Sequence, residues 1–241
     1  MSIESTPVAF FSFRGATGTN VPLSTMLDGI RGGKWSTEVQ RLRAIGRDGD
    51  GYDKAKTRLP AFLVSASTNG GHKAADVMNH AGLLQLDIDA VDAAEAPHLR
   101  DRIGDDRHIV AAWISPTGDG VKGVMRIPAD VARHKASFEA AADYMRENYN
   151  VEIDGQCSNV NRLCFVSHDP DLVTNWDSVV FGVPADSGRG EPGEYSSTSL
   201  PSTHYTLHNK AFSEFENLQP IYKRHVARFC AKPQRGHRNA A

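Results

Sequence analysis

Leu83 to Asp89 reads L-L-Q-L-D-I-D, an apolar run that ends on two carboxylates one residue apart. In a β-strand alternate side chains share a face. This spacing therefore predicts a strand that projects Asp87 and Asp89 together and packs Leu84, Leu86 and Ile88 on the opposite side. Two like charges held side by side repel unless a cation lies between them. Clustered carboxylate oxygens suit Mg²⁺, which commonly takes substrate phosphates as its remaining ligands. A strand end running into a polar turn, with two solvated aspartates, fits the same residues, so the neighbouring segments have to decide.

Upstream, Val8–Phe13 reads as a strand followed by the turn R-G-A-T-G. Leu23, Met26, Leu27 and Ile30 have helical spacing, closed by Gly32-Gly33. Ser36 is placed to cap a second helix, with Val39, Leu42 and Ile45 inward and Arg41, Arg43 and Arg47 outward. Residues 48–56 read as a polar loop, 59–65 as a strand, 68–71 as a turn and 73–80 as a short helix. Downstream, a helix is expected over 93–103 and strands over 109–115 and 121–127, joined by the glycine loop Pro116–Gly120 as a hairpin. The longest helix is expected over 129–148, an extended piece over 151–154 and a further strand over 163–167. The fold class that follows is α+β, with mostly antiparallel strands and helices packed on them.

Composition sets the outer limits. The chain has 241 residues, 40% hydrophobic and 23% charged, with a net charge of −2, values typical of a globular protein with a sizeable core. No apolar run approaches the roughly 20 residues of a membrane span, and the N-terminus lacks a signal-peptide pattern. A cytoplasmic protein without membrane partners is expected. Cys157, Cys164 and Cys230 form neither a disulfide framework nor a C-x-x-C pair, and the ten histidines include no H-E-x-x-H. From His204 onward seven Lys/Arg stand against two Glu, giving +5 there and −7 over the remainder.

Four more features accompany D-x-D. Ser115-Pro116-Thr117-Gly118-Asp119-Gly120-Val121-Lys122 is a Gly-rich turn that exposes backbone N–H groups to a phosphate, with a lysine just beyond it. It lacks the Walker A spacing. Asp154, in V-E-I-D-G-Q, is a third carboxylate able to complete a cluster for two metal ions about 4 Å apart. Arg162, in N-V-N-R-L-C-F-V-S-H-D-P, precedes an apolar strand and suits bidentate phosphate contact. Lys54, Lys56 and Arg58 form a basic stretch suited to a nucleic-acid backbone or, equally, a solvated loop.

The order D-x-D, then S-x-[ST]-G-x-G-x-K, then hydrophobic-Asp followed by N-R-L-C-F-x-S-x-D-P, resembles the archaeo-eukaryotic primase superfamily. The likeness is to the primase-polymerase branch of mobile elements and phages, often labelled VirE N-terminal-like. The resemblance implies a catalytic core over residues 1–184, an α/β module beside an RRM-like module with the active site between them. The shift to Ser, Gly, Pro and acidic residues over 185–203 reads as a linker, and apolar spacing over 204–241 reads as a helical tail, which the resemblance takes as the opening of a truncated primase C-terminal helical domain. The resemblance assigns Asp87, Asp89 and Asp154 as catalytic ligands of Mg²⁺ or Mn²⁺. The family's second motif, small-x-His, is matched by Ser115 but has Thr117 in place of histidine, so Lys122, Ser115 and the Gly118 and Gly120 backbone are expected to take the triphosphate with Arg162. The partners implied are a single-stranded DNA template, a primer, (d)NTPs and a helicase, with Lys54, Lys56 and Arg58 on the template. The implied activity is DNA primase/polymerase. A non-catalytic module that recruits a helicase and a metal-dependent nuclease remain as alternative classes.

Overall fold

The computed structural model describes residues 2–182. The chain begins with β1 (Pro7–Phe11) and β2 (Thr19–Pro22), then α1 (Leu23–Arg31), α2 (Ser36–Ile45) and α3 (Tyr52–Thr57). Next come β3 (Ala61–Leu63), β4 (Ala66–Thr68), β5 (Val77–His80) and β6 (Leu83–Ile88), followed by α4 (Ala96–Gly104). β7 (Ile109–Ile114), β8 (Val121–Arg126), α5 (His134–Tyr149), β9 (Leu163–Phe165) and β10 (Val173–Thr174) complete it. One sheet has the order β2-β1-β3-β9, a second β10-β7-β8-β6, and β4 and β5 form a ribbon. Every pairing is antiparallel. The chain is thus α+β, as the patterning implies.

β6 is buried along its whole length because both of its faces are covered. Leu84, Leu86 and Ile88 pack with Leu99 and Ile103 of α4 and Phe138, Ala141 and Met145 of α5. Each fully buried leucine there contributes roughly 1.5–3 kcal/mol. On the other face Leu83 joins Trp113, Val124, Phe62, Leu27, Ile30, Val39 and Leu42 in a core shared by the two large sheets, α1 and α2. Phe62 and Trp113 stack at 6.5 Å across that core. The odd-numbered positions of β6 therefore point toward the first sheet, and Asp87 continues that face to where the apolar filling ends.

Several local expectations change. The segment 73–80 is a 3₁₀ turn, Ala74–Asp76, followed by β5 rather than a helix. Pairing of Ala66 with His80 and Ser67 with Asn79 imposes the extended form on a segment without strong alternation. The stretch 48–56, expected as a polar loop, runs into α3 from Tyr52 onward. Helix α5 starts at His134, because the Asp130 carboxylate accepts from Ala132 N–H at 2.8 Å and closes a turn there; Val131, expected on its inner face, is exposed. Arg43 points inward rather than outward, donating to the carbonyls of Ser115 at 3.0 Å and His168 at 3.1 Å. The linker over 185–203 and the helical tail over 204–241 lie outside the described residues. Among the described residues no helix is long and apolar enough to cross a membrane.

Candidate functional site

The β7–β8 hairpin fixes the site by register. Asp87 lies directly opposite Lys122, and Ile88 opposite Val121. Lys122 Nζ is 2.6 Å from Asp87 Oδ2, with only 8% and 11% of the two side chains exposed. Burial lowers the pKa of Lys122, but the Asp87 charge opposes it and leaves the ammonium above its ordinary value. The other oxygen, Asp87 Oδ1, is buried without a hydrogen-bond partner. A carboxylate oxygen left that way is costly, which makes it a natural place for a cation.

Asp154 is brought in through the backbone, since its N–H donates to the Asp87 carbonyl at 2.8 Å. It caps a 3₁₀ turn, Gly155–Ser158, by accepting from Gln156 N–H. Its Oδ2 takes a bond from Arg162 at 2.9 Å. The same turn delivers Cys157, and ligand atoms of Asp87, Asp154 and Cys157 lie within 4.8 Å of one another. Burial, then the Asp87 charge, push the Cys157 thiol well above its ordinary pKa. A thiol held protonated is a poor ligand, so the two carboxylates carry the oxygen-donor character that suits Mg²⁺ or Mn²⁺.

Asp89 stands apart from that group. It lies just past the end of β6, and Arg47 reaches its Oδ1 at 3.3 Å. Arg47 also holds Asp119, through Nε to Oδ2 and through a second bond to Oδ1 at 2.8 Å. The bond from Arg47 keeps the Asp119 carboxyl below its ordinary pKa. Ala90, next in the chain, has φ of 59°, a left-handed conformation uncommon for a residue with a Cβ. Such strain collects at sites where neighbours over-determine the backbone.

The turn between β7 and β8 packs onto this strand end. A Cβ on Gly120 would sit 2.6 Å from the Ile88 carbonyl, so only glycine permits the approach. Gly118 has φ of +87°, and Ser115 Oγ and Thr117 Oγ1 share a hydrogen bond of 2.8 Å.

These parts open onto a cleft of about 540 Å³. Asp87, Asp89, Ser115, Thr117, Lys122, Arg162 and Lys56 all line it, while Gly118 and Gly120 shape the turn behind its wall. Asp154 meets the cleft through Arg162. The basic stretch divides, because Lys54 and Arg58 instead line a second cavity of about 270 Å³ between α2 and α3, with Arg41. Asn159 and Asn161, quoted in the motif around Arg162 but given no role of their own, line the main cleft, as do Arg14 and His72, which the sequence did not single out. Arg14 and His72 ride on turns joined by a 2.7 Å bond from Gly18 N–H to the Gly70 carbonyl, a tie with no local signature.

Residues 54–173 match the BT4734-like, N-terminal domain. The matched segment runs from within α3 to the first residue of β10, so it contains Asp87, Asp89, Lys122, Asp154, Cys157 and Arg162. Arg14 and Arg47 precede it. No curated protein and no solved structure matches the chain.

Proposed function

We propose that the protein is a metal-dependent, template-directed nucleotidyltransferase, a DNA primase/polymerase of the primase-polymerase type whose α/β and RRM-like modules correspond to the two large sheets and their helices. The observation that carries this reading is the convergence of Asp87, Asp89, the Ser115–Thr117 turn, Lys122 and Arg162 on one cleft. The buried, unpartnered Asp87 Oδ1 supports a divalent ion there. Asp87, Asp89 and Asp154 would hold Mg²⁺ or Mn²⁺, and the bound ion would supply a lowered pKa for the attacking 3′-hydroxyl and neutralisation of phosphate charge.

The protein's own groups do the positioning. The Ser115 and Thr117 hydroxyls bind phosphate oxygens, while the Gly118 and Ser115 N–H groups, expected to face the phosphate, are bonded within the turn to the Ser115 and Gly120 carbonyls. Lys122 and Arg162, which both line the cleft, neutralise the triphosphate. Lys56 at the cleft, and Lys54 and Arg58 over the neighbouring cavity, bind the backbone of a single-stranded template. Preorganised charge of this kind supplies most of the acceleration in phosphoryl-transfer chemistry, and template affinity falls steeply with salt.

Primer extension on a single-stranded template with Mn²⁺ and all four dNTPs, run beside Asp89→Asn, tests the proposal. Extension that vanishes in the variant supports it. Wild-type protein that binds template and nucleotide without extending the primer would favour a non-catalytic module that recruits a helicase.

A further inference from the structure

Each of the three carboxylates assigned to the metal is held by a cation. Lys122 pairs with Asp87 at 2.6 Å, Arg162 with Asp154 at 2.9 Å and Arg47 with Asp89 at 3.3 Å. Arg47 is shared, because it also holds Asp119, so four carboxylates face three cations. A divalent cation arriving alone can start on the unpartnered Asp87 Oδ1, but to draw in Asp89 it must compete with Arg47, and it adds positive charge to a cleft that already contains Arg14 and Lys56. A polyphosphate alters the balance, because every displaced ammonium or guanidinium gains charged oxygens to bind.

We propose that Arg47 is a polyphosphate-binding residue whose exchange from Asp89 to the substrate makes metal binding depend on the nucleotide. This rests on the nucleotidyl-transfer reading above. Arg47 is the pivot because its contact with Asp89 is the most exposed of the three, with 42% and 57% of the side chains open to solvent. Exposed ion pairs are weak and exchange readily, whereas a buried pair resists separation. The guanidinium is also aimed. Asp119 grips the Nε–Nη2 edge, with Nη2 2.8 Å from its Oδ1, and the same nitrogen also reaches Asp89 Oδ1 at 3.3 Å and Thr117 Oγ1 at 3.5 Å. Asp89 and Thr117 both line the cleft, so a phosphate seated on the Ser115–Thr117 turn meets that nitrogen and frees Asp89 for the ion. By linkage, the metal tightens nucleotide binding by the same factor.

The test measures Mn²⁺ bound to the full chain from the electron paramagnetic resonance signal of the free ion. It is run with and without an α,β-methylene dNTP, the Mn²⁺ held by nucleotide in solution being subtracted. Wild type is expected to bind Mn²⁺ about tenfold more tightly with the nucleotide, within the usual span of coupling between sites. Arg47→Ala should bind Mn²⁺ alone several-fold more tightly and lose most of the coupling, and Arg47→Lys should fall between. Wild-type affinities equal in the two states, or Arg47→Ala unchanged in both while Asp89→Asn abolishes binding, would overturn this inference and leave the metal site standing. Mn²⁺ bound in neither state, or bound equally by Asp89→Asn, would overturn the site reading together with it.

Discussion

Lys122→Met removes the charge from a buried pair while keeping the length of the side chain. In the native protein Lys122 and Asp87 are 8% and 11% exposed and 2.6 Å apart, so the variant leaves the Asp87 carboxylate buried with neither of its oxygens paired. Breaking a buried pair from one side costs about 3–5 kcal/mol, whereas replacing both members by neutral groups of similar shape is often close to neutral. Against a total stability of roughly 5–15 kcal/mol, Lys122→Met and Asp87→Asn should each be strongly destabilised. The double variant should recover most of that loss, a coupling of at least about 3 kcal/mol relative to the sum of the singles. Equilibrium urea unfolding in EDTA, followed by circular dichroism, measures all four corners of the cycle. Adding Mn²⁺ should then stabilise Lys122→Met more than wild type, because a ligand that binds only the folded state adds RT ln(1 + [L]/Kd) and the carboxylate is no longer occupied by lysine. Single variants that each cost under about 1 kcal/mol and simply add would refute the account of the pair as a buried, coupled unit. Equal Mn²⁺ stabilisation of both proteins would refute the competition between lysine and metal.

Gly120→Ala should cost about 1–3 kcal/mol, because its Cβ would sit 2.6 Å from the Ile88 carbonyl; urea midpoints that match wild type would remove the tight contact. Ala90→Gly should be neutral or stabilising by up to about 1 kcal/mol, since glycine accepts the φ of 59° without steric cost; the same unfolding assay decides, a clear loss of stability counting against it. Burial, then the charge of His134, lower the pKa of His80 from 6.5 to about 4. The unfolded chain therefore binds a proton that the folded one refuses. This contribution to stability is full above pH 6.5 and is lost as pH falls toward 4. After discounting for partial exposure it amounts to about 1–2 kcal/mol, and His80→Phe should flatten that part of a stability-versus-pH curve.

The sequence is most legible where one physical signal dominates. Leu23, Met26, Leu27 and Ile30 are buried as their spacing implies, and 109–115 with 121–127 form the hairpin that the glycine loop announces. Asp87 and Asp89 both line one cleft, but Asp89 lies past the end of β6 and on Arg47, away from the Asp87–Asp154 group that strand alternation alone would have it join. What was not legible depends on partners distant in the chain. β5 has a largely exposed pattern, with Met78 60% exposed, and takes its strand form from β4. Arg43 and Arg47 both read as an outward face of α2. Yet Arg43 is drawn inward by two carbonyls from elsewhere in the chain, and Arg47, beyond the last residue of the helix, is captured by Asp119. Cys157 gives no sign of its position until the 3₁₀ turn places it beside Asp87.

The opposition of Asp87 and Lys122 also bears on how β6 finds its place. Its neighbours Leu86 and Ile88 are both apolar, so their burial alone says little about which of several alignments with β8 is correct. A slip of one residue would set Lys122 against a leucine or an isoleucine and turn it toward the α4–α5 core, where an unpaired charge is prohibitive. The Asp87–Lys122 pair that lines the cleft is thereby expected to act as a proofreading device while the protein folds. Mutation that neutralised both together could keep equilibrium stability and still lose fidelity of strand alignment, visible as slower or heterogeneous refolding of the Asp87→Asn, Lys122→Met protein.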